Sequence, residues 1–261
     1  MTSARTTSSG DIFNISISFS LSNITLDQWK PKKLSFFLSD SYSKASELFG
    51  CLANYLSSIR IISENQDLTY FVPEQDFIFP GFDKKNSLLS YPGQSFSGFS
   101  LLQEYFIFLQ KFLFFDITGL DKWKYKGDAT TFEILFEFNE PPFEIPTVTA
   151  TTFSLFSVPV VNLFPHDAEP SLLDHTRERI RVRPSSKTGK GYQIYSVDKV
   201  VGFIQGSVTP VEYAPMDHFS ADGEERSFYN ATRAISPITN AQEVHIHFLY
   251  SKKEQIFQGK P

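Results

Sequence analysis

Asp11-Ile-Phe-Asn-Ile-Ser-Ile-Ser-Phe-Ser-Leu-Ser22 alternates apolar and polar residues almost without fault. Phe13, Ile15, Ile17, Phe19 and Leu21 fall at every second position, with Asn14 and serines between them. Successive side chains of a strand point to opposite sides of its sheet, so this pattern predicts a half-buried antiparallel strand. Working outward, Leu34 to Leu38 reads as a second strand. Asp40 is placed to cap a helix over 41–58. In it Ala45, Leu48, Phe49, Leu52, Leu56 and Ile59 recur at three- and four-residue steps, the mark of an amphipathic helix laid on a sheet. Arg60 to Ser63 continues as a short strand.

Ser100 and Gln103 have capping-box spacing beside Leu101, Leu102, Tyr105 and Phe106, which predicts a second, short helix. Lys111 to Ile117 and residues 131–138 read as strands. Pro141, Pro142 and Pro146 supply the best linker. Beyond it, short strands at 148–156, 159–164, 178–183, 192–196, 200–206 and 243–250 alternate with turns. The expected fold is α+β and β-dominated: two tandem domains of mainly antiparallel, sandwich-like sheet, with few helices packed on the first. Its expected divisions are a disordered tail over 1–10, a first α+β domain over 11–140 and a second, all-β domain over 147–261.

Composition bounds the function. A chain of 261 residues buries enough surface to need no disulfide staple, and its single cysteine, Cys51, lies on the apolar stripe of the first helix. A net charge of −5 lacks the basic footprint of a nucleic-acid binder. The longest apolar run, Phe112 to Phe115, is far too short to span a bilayer, so no direct membrane insertion is expected. The 28 phenylalanines are more than a chain this size readily hides, so at least one exposed apolar patch is expected.

Catalytic patterns are incomplete. Gly93-Gln-Ser-Phe-Ser-Gly98 misses the second glycine of a nucleophile elbow. Thr188-Gly-Lys-Gly191 has neither the upstream glycine nor the following hydroxyl of a phosphate loop. His245 and His247 share a strand face but lack an evident third ligand. His166-Asp-Ala-Glu169 and Asp174-His175 are acid–imidazole pairs in a proline-rich setting that favours loop hydrogen bonding. The expectation is no catalytic residue, no cofactor and no metal. Arg177, Arg179, Arg181 and Arg183 alternate along one strand face and lead to Lys187 and Lys190. They read as a solvated edge or as the seat of an acidic partner. An alternative is a carbohydrate- or peptide-binding β-sandwich module. It would need clustered, solvent-facing aromatics, and Trp29 and Trp123 are the only tryptophans. An enzyme would need His166, His175 and a carboxylate in one cleft.

Three blocks carry a family resemblance. The first is Ser90-Tyr-Pro-Gly-Gln-Ser-Phe-Ser-Gly-Phe-Ser-Leu-Leu-Gln-Glu-Tyr-Phe-Ile-Phe108, running on to Lys111-Phe-Leu-Phe-Phe-Asp-Ile-Thr-Gly119. The second is Val158-Pro-Val-Val-Asn-Leu-Phe164 with Ala168-Glu-Pro170 and Leu173-Asp-His175. The third is Tyr192-Gln-Ile-Tyr-Ser-Val-Asp-Lys-Val-Val-Gly202. Together and in this order they resemble the TssF family of the type VI secretion baseplate, over roughly residues 12–250. Leu109 stands where the family typically has proline, so the second helix is open to running a turn longer. Family chains are longer at both ends. The resemblance implies a structural, non-enzymatic scaffold in a cytoplasmic baseplate at the inner face of the membrane. Its implied partners are TssG, a second TssF copy, TssK, the sheath initiator and the spike hub. The residues expected to make contacts are Asp174, His175, Arg177, Arg179, Lys187 and Lys190.

Overall fold

The alternation that opens the sequence forms a strand, Ile12–Ser20 (β2), which buries Ile15, Ile17 and Phe19. Its partner Thr131–Asn139 (β8) alternates as strictly, burying Phe132, Ile134, Phe136 and Phe138. The computed structural model describes residues 1–9, 12–64, 68–89, 96–139, 145–173, 178–185, 192–203, 208–216 and 227–249. Contacts divide the chain into two units, Met1–Val161 and Asn162–Pro261.

In the first unit, Ser3–Ser9 (β1), β2, β8, Leu56–Ser63 (β4) and Thr69–Phe71 (β5) form a five-stranded antiparallel sheet in the order β1-β2-β8-β4-β5. Phe77–Ile78 (β6), Phe114–Thr118 (β7), Lys33–Leu38 (β3) and Phe153–Leu155 (β9) form a second, in the order β6-β7-β3-β9. The two sheets close over one aromatic core. Phe115 of β7 meets Phe136 of β8 edge-on at 5.9 Å, and Phe19 of β2 meets Phe36 of β3 at 6.2 Å. Edge-to-face pairs at such spacing add about 0.5–1.5 kcal/mol beyond the area they bury. On the outer face of the first sheet Arg60 pairs with Glu137, and Arg5 reaches Glu133 at 3.6 Å. Helix Tyr42–Asn54 (α1) buries Ala45, Leu48, Cys51 and Leu52. Burial pushes the Cys51 thiol up to about 11, so it stays protonated in the core.

The second unit holds one sheet in the order β10-β14-β13-β12-β11, built from Ile180–Arg181 (β10), Val200–Gly202 (β11), Val211–Pro215 (β12), Phe228–Ile235 (β13) and Gln242–Leu249 (β14). Its pairings are antiparallel except for β12 with β13. Tyr213, Tyr229 and Ile246 are the buried centre of its core.

With fourteen strands and two α-helices among the described residues, the fold is β-dominated, and both helices lie in the first unit. Several expectations need correction. The expected tail is strand β1, whose residues pair from Ser3↔Ser18 to Ser9↔Ile12 and cover an edge of β2. The first helix ends at Asn54, and Leu56 and Ile59 belong to β4. Ile59, Ile61 and Ile62 are β-branched, and pairing with β8 outweighs the three-and-four spacing. Ser41, not Asp40, is the residue before α1. Asp40 Oδ1 accepts from the Ser41 N–H instead. The expected linker is not the boundary: Ile145, Val148 and Phe153 join the first core, and the division follows Val161. Pro141 and Pro142 lie outside the described residues.

Candidate interaction surfaces

The second helix, Ser97–Ile107 (α2), is turned opposite to α1. Ser100 and Glu104 are its buried residues, whereas Phe99, Leu102, Tyr105, Phe106 and Ile107 are exposed. One carboxylate fixes this orientation. Glu104 is 2% exposed, and its Oε1 accepts from Ser87 Oγ at 2.7 Å, Leu88 N at 2.8 Å and Leu89 N at 3.0 Å. Its Oε2 accepts from the buried Lys111 ammonium. Burial alone would raise the Glu104 carboxyl. The hydrogen bonds from Lys111, Ser87 and Leu89 N–H outweigh it and hold the group below its usual value. A buried charge survives only when paired and hydrogen-bonded. Rolling α2 over would therefore strand this carboxylate and its ammonium.

Neighbouring backbone makes room for the pair. At Gly81 an added Cβ would lie 2.7 Å from Lys111 O, so only glycine allows this approach. Tyr105 Oη lies 3.3 Å from Tyr42 Oη, which ties α2 to α1.

The outer face carries no charged side chain. Phe99 is 72% exposed and Phe106 77%, and Phe96 stacks edge-on against Phe99 at 5.8 Å. Three such rings present about 300–550 Å² of apolar surface before Leu102 and Ile107 are added. That is already the size of the largest apolar patch usual on a monomer, a patch that is often functional. A second exposed stretch follows β9. Phe156 stands in the left-handed region (φ 59) with its ring almost wholly exposed, and Val158 and Val160 are exposed after it.

Among the residues expected to make contacts, Asp174, His175, Arg177, Lys187 and Lys190 lie outside the described residues. Arg179 is exposed beside β10, as is Arg183, while Arg181 Nη1 pairs with Glu243 Oε1 at 2.9 Å. His245 Nε2 lies 3.7 Å from Glu243 Oε2. Among the described residues no three His, Cys, Asp or Glu side chains gather as a metal site would need. His166 Nε2 lies 2.6 Å from Ser185 O. Trp29 and Trp123 do come together, but around Lys126, with Trp123 buried, and they form no open stacking platform.

The α2 face was missing from the expected site. Ser100 and Gln103 do not cap the helix: it starts at Ser97, and Ser100 is buried inside it. The available signal was a helix with one charged residue and apolar residues on every other side. The helix does not run a turn longer at Leu109: it ends at Ile107, and a 3-10 turn, Leu109–Leu113, follows and places Lys111 beneath it.

The family model for the type VI secretion system protein TssF matches residues 2–259. The chain belongs to the TssF family. It is similar to the type VI secretion system component TssF1 of Pseudomonas aeruginosa, at 27% identity over 166 residues, which is 62% of this chain and 26% of that protein. It is also similar to a chain in the cryo-electron microscopy structure of a type VI secretion system TssK–TssF–TssG baseplate subcomplex, with a TM-score of 0.74 and 25% identity. That match covers 94% of this chain and 47% of the solved one, so the chain spans about half the length of that solved chain and about a quarter of TssF1 is matched.

Proposed function

We propose that this chain is a structural, non-catalytic subunit of a type VI secretion baseplate that docks onto TssG and TssK through the apolar face of α2. The observation that carries this reading is the inversion of α2: a helix held with its carboxylate inward and its rings outward is built to be covered. Membership of the TssF family and the likeness to a subunit of a TssK–TssF–TssG complex support the choice of partners. Standard protein interfaces take about 800 Å² from each side, and their centres are apolar and rich in aromatic residues. The α2 patch supplies much of such a centre.

The exposed Arg179 and Arg183, with Asp174, His175, Arg177, Lys187 and Lys190, form a secondary contact for an acidic surface in this reading. It steers association and is weakened by salt. A second TssF copy, the sheath initiator and the spike hub are the further partners, and the site of assembly is the cytoplasmic face of the membrane. Among the described residues no helix is long and apolar enough to cross a membrane.

Co-elution of the purified chain with purified TssG and TssK tests the proposal. A stable complex with at least one is expected, with an Arg177→Glu/Arg179→Glu variant weakened at low salt only. Failure to co-elute with either, at low and high salt, rules the reading out.

A further inference from the structure

The first unit contains a recess that the docking role does not use. It has a volume of about 280 Å³ and is lined by Asp27, Lys30, Asp121, Trp123, Lys124 and Lys126. Its two walls are pinned together by backbone. Leu26 N donates to Ala129 O at 2.9 Å and Asp27 N to Gly127 O at 3.2 Å. Gly127 turns the chain at φ 73, a conformation that glycine adopts without cost, and so brings Lys126 back under Trp29.

Lys126 is the unusual member. It is 5% exposed, and its Nζ sits 5.4 Å from the ring centre of Trp123 and 5.7 Å from that of Trp29. The ammonium donates to Trp29 O at 2.7 Å. It has three N–H donors and, among the described residues, no carboxylate within ion-pair distance. Buried charges are normally paired, so a buried ammonium held by one carbonyl and two ring faces has room for an anionic acceptor. Burial pushes its pKa down, an effect that Lys30 reinforces and that Asp27 and Asp121 oppose from across the recess. Around the recess three lysines stand against two aspartates, which leaves an excess of one positive charge.

We infer that this recess receives a single carboxylate on a short stem, with Lys126 Nζ as its main donor and Lys30 and Lys124 at the mouth. The volume decides the size class. Sites for drug-sized ligands begin at about 300 Å³. A recess at this lower limit admits an acidic side chain or a compact carboxylic acid, not a nucleotide or a sugar polymer. A free acid and a glutamate on a partner protein share this chemistry.

Trp29 and Trp123 are the only two tryptophans in the chain and both lie against Lys126, so tryptophan fluorescence, excited selectively over the tyrosines, reports on its surroundings. Titration at fixed ionic strength with acetate, glutarate and N-acetyl-glutamate amide, against methyl acetate and chloride, tests the inference. A saturable change is expected with carboxylates and none with the ester or chloride. Saturation by all three acids indicates a general carboxylate site, and saturation by the glutamate amide alone indicates a protein-borne side chain. Lys126→Met, shown to be folded by circular dichroism, loses the response. Lys126→Arg keeps the charge but changes its shape between the two rings, so it is expected to weaken the response without abolishing it. The inference is overturned if no acid gives a saturable change, if methyl acetate acts like acetate, or if Lys126→Met responds like the wild type.

Discussion

Helices α1 and α2 lie in the same unit and have similar lengths, 13 and 11 residues, yet they treat their apolar residues in opposite ways. In α1 the apolar stripe of Ala45, Leu48, Cys51 and Leu52 faces the sheets, and burial of that stripe holds the helix down. In α2 the buried positions are Ser100 and Glu104, and the rings of Phe99 and Phe106 face away from the fold. Apolar burial on α2 is limited to the partly covered Leu101 and to Tyr105, whose ring lies 5.8 Å from that of Phe112. A paired and hydrogen-bonded carboxylate holds the helix instead, and it leaves the helix's hydrophobic surface available to another chain. The first helix is held by its own apolar stripe, and the second by a buried ion pair.

Substitutions can break this contrast. The largest effect is expected at the clamp. Lys111→Ala leaves Glu104 buried without its counter-charge and should cost about 3–5 kcal/mol in denaturant unfolding. Replacing both partners, as Glu104→Leu/Lys111→Met, should recover only part of that loss: no charge is left stranded, but Ser87 Oγ and the Leu88 and Leu89 N–H groups lose their acceptor. In α1, Leu48→Ala should cost about 2–5 kcal/mol through the cavity it opens. Phe99→Ser and Phe106→Ser should change stability by only about 0.5 kcal/mol or less, since both rings already face water. Similar losses at Leu48 and Phe106 would show that α2 is an ordinary packed helix.

Acid sharpens the same comparison. The Glu104 carboxyl is held below its ordinary value in the folded protein. Its contribution is therefore present above the unfolded pKa, about 4.3, and is lost as pH falls through the lower folded value. Stability should decline over that acid range, and Glu104→Gln should flatten the decline when unfolding is followed against pH. Leu48→Ala should leave its slope unchanged.

Legibility in the sequence followed the strength of the repeating pattern. Strands β2 and β8 were legible because one face is core and the other is polar, as Glu133 and Glu137 show. The start of α1 was legible and its end was not, because Leu56 and Ile59 fit a helical stripe and a strand equally well. Strand β1 was hidden because Ser3–Ser9 has almost no apolar residue, and its place depends on ladder bonds to β2. Strand β13 carries no alternating signal, because Phe228–Ile235 buries little beyond Tyr229. At α2 a helix was expected, but its sense was not. Periodicity assigns apolar residues to the core, and only tertiary contacts show that Glu104 meets Lys111, Ser87 and Leu89.

The central claim is that the outer face of α2 is a docking surface, and affinity tests it most directly. Isothermal titration of TssG and TssK into the wild type and into a Phe99→Ser/Phe106→Ser variant, each shown to melt alike, isolates the two rings. The expected result is a loss of about 2 kcal/mol or more in binding to one of the partners, unchanged between low and high salt because the face carries no charge. Equal affinity of variant and wild type for both partners would contradict the account.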